Sequence, residues 1–182
     1  LATPLPQQLS YREAFQQHLD LDPFTVTDRV LLKRIAGLDV TPPGDWRNMD
    51  RDSWLNLLLA DFVEPQLGMD GPTILYGYPP SQAALAQVRP GSPPVAERFE
   101  LYLNGIELAN GYHELLDAPE LLRRSQRSNQ QRLGDGNQAL PENSYLLQAM
   151  EAGLPDCCGV ALGFDRLVML AAGATSIEEV LT

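Results

Sequence analysis

The stretch Arg98-Phe99-Glu100-Leu101-Tyr102-Leu103-Asn104-Gly105-Ile106-Glu107-Leu108-Ala109-Asn110-Gly111-Tyr112-His113-Glu114-Leu115 decides the fold. Its first six residues alternate, with Phe99, Leu101 and Leu103 on one face and Arg98, Glu100 and Tyr102 on the other. That period of two predicts a strand with one buried face, and the apolar set is expected to be the buried one. Two Asn-Gly pairs come next, Asn104-Gly105 and Asn110-Gly111. Asn-Gly between strand-like runs is a strong hairpin signal, because both positions of the tight turn need positive φ. Two tight turns would leave a strand of only four residues, so the first pair is read as the turn and the second as a bulge in a longer returning strand. Glu107 and Glu114 are separated by 114 − 107 = 7 positions, an odd number. A regular strand points them to opposite faces, and one bulge residue between them restores a common face.

Upstream, residues 1–9 are rich in Pro and Gln and read as a linker or loop. Ser10 with Glu13 forms a capping box for an amphipathic helix over Tyr11–Leu19. Further helices are expected over 26–36, with Gly37 as the stop, and near 51–62, after a Pro42-Pro43-Gly44 loop. Residues 1–70 thus read as a helical packing segment. In the remainder, Thr73–Tyr78 is β-prone and ends at Pro79-Pro80. Downstream of the hairpin come helices over 119–133 and 142–152 and a short buried strand at Cys158–Leu162. A helix opened by Gly163 comes next, then a final helix begun by the Ser176/Glu179 capping box. The fold class is α+β: an antiparallel sheet flanked by helices, in one domain over residues 1–182 with the sheet in 71–182.

Composition excludes several function classes. Of 182 residues, 44% are hydrophobic, enough to bury a sizeable core. Apolar runs such as 57–60 and 167–172 fall far short of the ~20 residues of a membrane span. Acidic residues outnumber basic ones 24 to 13, for a net charge of −11, against the basic face that nucleic-acid binding requires. Arg123, Arg124, Arg127 and Arg132 form one basic patch, read as a solvated helix face. Lys33 is the only lysine, which removes any Gly-Lys-Ser/Thr phosphate loop. Cys157 and Cys158 are chain neighbours and, with His18 and His113, give no zinc spacing. They read as small buried residues of a reduced protein. The chain opens at Leu1 without a signal-peptide pattern and is expected to be a soluble, cytoplasmic excerpt of a longer protein.

Chemistry concentrates in two segments. Glu107 and Glu114 offer carboxylates suited to Mg²⁺, a hard cation that takes oxygen ligands and a phosphate partner. Gly159-Val160-Ala161-Leu162-Gly163-Phe164-Asp165-Arg166 is a strand, a glycine, and a helix with an arginine in its first turn, able to stack on a base or pair with a phosphate. Each has a plain alternative: solvated surface carboxylates, a helix-terminus ion pair between Asp165 and Arg166, and glycines that only allow close packing. His113 reads as a hydrogen-bonded, partly buried residue with no nucleophile beside it.

Taken together, residues 159–170 resemble the third signature motif of class II aminoacyl-tRNA synthetases, and residues 106–115 resemble the Glu-Leu-x-Asn-Gly-x-x-Glu-Leu strand of the lysyl branch. Gly-Val-Ala-Leu-Gly-x-Asp-Arg, with Ala161 where true lysyl-tRNA synthetases usually have glycine, is similar to the elongation factor P–(R)-β-lysine ligase family. Residues 9–15, 78–87 and 95–100 share that likeness. The resemblance implies the C-terminal part of a catalytic domain that activates (R)-β-lysine or lysine with ATP and Mg²⁺ and passes it to a lysine of elongation factor P, without tRNA. It implies catalytic roles for Arg166 and Glu107, and ATP binding by Glu107, Leu108, Gly163 and Arg166. Glu114, Asn110 and Ala161 would bind the substrate, and Glu107 and Glu114 the metal. A homodimer is expected through regions outside this chain. The family's first two motifs are not visible here, so the isolated chain is expected to be inactive. Two alternatives stay open, a lysyl-tRNA synthetase catalytic domain and a non-catalytic synthetase-like binding module.

Overall fold

The computed structural model describes residues 5–38 and 49–181; the loop expected at Pro42-Pro43-Gly44 lies outside them. A sheet with strand order β1-β2-β4-β5-β6 forms its centre, with the two-residue β3 (Val88–Arg89) pairing on β4. β1 (Gln7–Ser10) runs parallel to β2 (Thr73–Tyr78), and every other pairing is antiparallel. The first strand therefore lies inside the stretch read as linker and helix. Four residues of mixed polarity carry no strand signal of their own, and the strand β1 pairs with is β2, more than 60 positions away.

Around the sheet, α1 (Tyr11–Leu19) starts at the expected capping box, with the Glu13 N–H donating to Ser10 Oγ at 3.2 Å and the Ser10 N–H to Glu13 at 2.9 Å. α2 spans Asp28–Ala36. α3 (Arg51–Leu58) continues as a π-helical turn over Leu59–Val63 and a 3-10 turn over Glu64–Gln66, where Pro65 prevents regular continuation. Tyr11, Phe15, Leu55, Leu58, Val63, Leu75, Tyr78 and Tyr102 join these helices to one face of the sheet in a single core. A second, smaller cluster of Leu115, Ala118, Leu121, Leu147 and Met150 packs α4 (Ala118–Gly134) on α5 (Tyr145–Ala152). The Ser176/Glu179 box caps only a 3-10 turn, Ile177–Glu179. No helix among the described residues is long and apolar enough to cross a membrane.

β4 (Val95–Leu103) and β5 (Ile106–His113) form the expected hairpin, with Asn104 at φ 51° and Gly105 at φ 72°. Two expectations about this region change. The buried face of β4 carries Ala96, Glu100 and Tyr102, while Phe99, Leu101 and Leu103 are half-buried. The α-helical layer sits on the polar side of the alternation, and hydrogen bonds make the carboxylate tolerable there. The bulge falls at Leu108, between the pairs Leu101↔Ala109 and Tyr102↔Glu107. Asn110-Gly111 is regular strand, bonded on both sides. Gly111 is needed there because a Cβ would meet the Phe99 ring at 2.5 Å.

β6 (Cys158–Leu162) pairs with β5 alone and is exposed rather than buried, with Val160 at 64% and Leu162 at 53%. Cys157 and Cys158 are likewise exposed. An apolar run signals a covered strand, and among the described residues nothing covers this one. α6 (Phe164–Ala172) comes directly after it, with Gly163 as its cap residue.

Candidate active site

An acidic cavity of about 570 Å³ opens between α3 with its π-helical extension and the buried face of the sheet. Asp50, Asp52, Glu64, Glu100 and Glu107 line it, and among the described residues Arg98 is its only cationic lining residue. The widened turn after α3 contributes Leu59, Ala60 and Glu64 to the wall.

Glu100 anchors the floor. At 5% exposure it accepts from Tyr78 (2.6 Å), Tyr102 (2.5 Å), Arg98 (2.5 Å) and Asn110 (3.2 Å). Four donors to one carboxylate account for its burial. Arg98 also lies over the Tyr78 ring, 4.4 Å from its centroid, and donates to the Gln82 carbonyl at 3.0 Å. Burial disfavours its charge, but Glu100 and Tyr78 more than restore it and raise its pKa. Burial and then the Glu100 charge push the Tyr78 and Tyr102 hydroxyls well up, so both remain donors. The Tyr102 hydroxyl also stands 3.1 Å from Glu64. Burial, helped by Glu100 and Glu107, raises the Glu64 carboxyl above its ordinary range.

The Leu108 bulge decides which way the rest of β5 faces. Glu107 pairs with Tyr102, Asn110 with Glu100, and Tyr112 with Arg98, so Glu107, Asn110, Tyr112 and Glu114 all point to the cavity face. From β6, Gly159 and Ala161 pair with Tyr112 and Asn110 and share that face. The Glu114 carboxylate lies over Gly159, where any Cβ would stand. Asn110 gives its amide N–H to Glu100, which leaves its buried side-chain oxygen without a partner. Arg166, in the first turn of α6, donates to the Glu107 carbonyl at 2.8 Å and to its carboxylate at 3.3 Å. The Gly163 N–H donates to the Leu108 carbonyl at 2.8 Å, which ties the two candidate segments together at the bulge.

The structure thus brings Glu107, Leu108, Gly163 and Arg166 into one group, and Asn110, Glu114 and Ala161 onto one face. It does not bring Glu107 and Glu114 together. Six regular steps of strand separate them, roughly 20 Å, too far for two side chains to meet on one ion. They also border different hollows, Glu107 the acidic cavity and Glu114 an apolar one of about 140 Å³ with Leu85 and Leu146. The carboxylates that share Glu107's cavity are Glu100, Glu64 and the two aspartates of α3's start. Sequence reasoning passed over Glu100; the available signal was a carboxylate flanked at i−2 and i+2 by Arg98 and Tyr102. Among the described residues no three His, Cys, Asp or Glu side chains form a complete metal cage. A cation here would draw on one or two carboxylates plus phosphate and water, the usual habit of Mg²⁺. His113 is fully engaged, with its ring nitrogens 2.5 Å from Glu97 and 2.6 Å from Asp156, and those bonds raise its pKa.

A mainly antiparallel sheet with this acidic strand, and a glycine–helix segment presenting Arg166 to it, is the arrangement expected of the class II synthetase core. The chain belongs to the family of class II tRNA synthetases (D, K and N), whose model matches residues 2–182. It is similar to proteins named elongation factor P–(R)-β-lysine ligase. The one from Klebsiella pneumoniae (strain 342) is 51% identical over 175 residues, covering 96% of this chain and 54% of the relative. Those from Salmonella gallinarum and Salmonella arizonae are 49% and 48% identical over the same shares. The chain spans about half the length of the curated relatives it matches.

Proposed function

We propose that the chain forms part of an ATP-dependent ligase that activates (R)-β-lysine, or lysine, as an adenylate and transfers it to a lysine of elongation factor P. The observation that carries this reading is the single face holding Glu107, Asn110 and Glu114 opposite Ala161, with Arg166 standing on Glu107. Charge balance supports it. A cavity to which the described residues bring five carboxylates and one arginine accepts a triphosphate only with a divalent cation between them. Its all-oxygen donors suit Mg²⁺, held by Glu107 and, in place of Glu114, by Glu100 or Glu64. Such an ion, when bound, neutralises phosphate charge during displacement.

The chain's own groups do the rest by binding and orientation. Arg166, half-exposed, can turn from Glu107 to a phosphate oxygen without unfolding anything. The unpaired Asn110 oxygen and the Glu114 carboxylate are acceptors suited to the ammonium groups of a lysine-like substrate. In the first step the substrate carboxylate attacks the α-phosphorus and pyrophosphate leaves. In the second the acceptor amine attacks the adenylate's carbonyl, AMP leaves, and an amide forms. Neither step needs a protein nucleophile. The methyl of Ala161, beside Asn110, is placed to select between α- and β-amino acids. A dimer built through the rest of the protein, and action without tRNA, belong to the same reading.

The test is ATP–pyrophosphate exchange by the full-length protein with (R)-β-lysine and with α-lysine, repeated for Glu114→Gln. Preference for (R)-β-lysine, with at least about 100-fold loss in the variant, is expected. A strong preference for α-lysine would instead support a lysyl-tRNA synthetase. No exchange with either amine would leave the binding module.

A further inference from the structure

Of the four arginines that read as a solvated face of α4, Arg124 is used differently. Its Nε–H donates to Glu120 at 2.8 Å, and Nη1 donates to two carbonyls, Ala84 at 2.7 Å and Ala86 at 2.9 Å. The intervening carbonyl, Leu85, accepts from the Leu115 N–H at 2.7 Å. Three successive carbonyls of an irregular turn are therefore satisfied, two of them by one guanidinium. Ala84 sits at φ 49°, a left-handed conformation that a residue with a Cβ keeps only where its surroundings impose it.

This turn is the partition between the two hollows of the site. Ser81, Gln82 and Ala84 line the acidic cavity, and Leu85 lines the hollow that holds Glu114. Ala86 pairs directly with Glu114, and the Gln87 side chain donates to the Glu114 carbonyl at 3.0 Å. Where Arg124 holds the turn, the backbone of Glu114 is held too.

We propose that Arg124 is a positioning residue for the amino-acid substrate, fixing the 84–86 turn and through it the place of Glu114. The proposal rests on the substrate role given to Glu114 above. The planar fork is what matters. A lysine keeps the charge but cannot hold Glu120 and both carbonyls in one fixed geometry.

The test compares full-length wild type, Arg124→Lys, and Arg124→Lys combined with Ala84→Gly, in ATP–pyrophosphate exchange and thermal unfolding. In Arg124→Lys the KM for the amino acid is expected to rise about 10-fold or more. The KM for ATP should stay within about twofold, since Glu107 and Arg166 lie outside the 84–86 turn and are held by their own contacts. Ala84→Gly should bring the amino-acid KM back toward wild type, because glycine keeps positive φ without a clamp. An unchanged amino-acid KM in Arg124→Lys would overturn the proposal. So would a parallel rise of both KM values and fall of kcat that track lost thermal stability and are not rescued by glycine. Absence of exchange in the wild type overturns the functional reading and takes this proposal with it. Exchange in the wild type with an indifferent variant overturns this proposal alone.

Discussion

Glu100 and Arg166 belong to the same candidate site and are built in opposite ways. Glu100 is buried to 5% exposure and surrounded by four donors, whereas the Arg166 side chain is 47% exposed and, among the described residues, bonded only to Glu107. At the floor, four donors meet one buried carboxylate and serve as core. At the rim, one weak partner holds a cation that is free to exchange it. The contrast separates a part of the site on which the fold leans from a part that can exchange its partner for a ligand.

The sharpest way to break that contrast is Glu100→Ala in the full-length protein. Removing one member of a buried charged network leaves the Arg98 charge and the Tyr78 hydroxyl without their carboxylate, at a cost of about 3–5 kcal/mol. Urea denaturation reads this directly, and a loss below about 1 kcal/mol would show the floor to be no more structural than the surface. Arg166→Ala should do the reverse. Exchange should fall about 100-fold or more, while the free energy of unfolding moves by no more than about 0.5 kcal/mol. A stability loss like that of Glu100→Ala would make the rim structural as well.

A smaller effect lies between them, at Glu64. Burial, with Glu100 and Glu107 adding, outweighs the Tyr102 bond and Arg166 and holds this carboxyl above its ordinary value of 4.5. Just above that pH the folded protein retains a proton the unfolded chain has released, so stability declines as pH rises through the window and then levels. Glu64→Gln should flatten that decline in denaturation midpoints taken from pH 4.5 upward. A slope unaltered by the substitution would mean another group carries it.

Much of this was legible in local sequence, and the reasons are specific. Asn104-Gly105 specifies its turn because few other pairs accept two positive φ values. The odd separation of Glu107 and Glu114 allows a common face only with an extra residue on β5, and one is there. Its position was not legible, because Gly111 is a glycine to clear the Phe99 ring rather than to break the ladder. The buried side of β4 was hidden for a different reason. Three apolar residues outweigh one carboxylate in any periodicity count, and Tyr78, which donates to Glu100, comes from another strand 22 positions away. β1 and the exposure of β6 depend likewise on distant partners or on missing cover. Local chemistry specifies turns and caps, while the choice of what is buried is made by pairing.

The Leu108 bulge gives the site an unusual arithmetic. If β5 took up Leu108 as an ordinary rung, with no change of sequence, Glu107 would face one side and Asn110 and Glu114 the other. Deleting Leu108 has a different result. The ladder closes into regular strand, and all three side chains keep their common face. Lost with the residue is the carbonyl that the Gly163 N–H meets, and with it a fastening of the helix that carries Arg166. The surplus position is therefore a rivet between two segments that the chain makes some fifty residues apart. The joining is done by backbone, and the Leu108 side chain, 6% exposed, serves the packing around it.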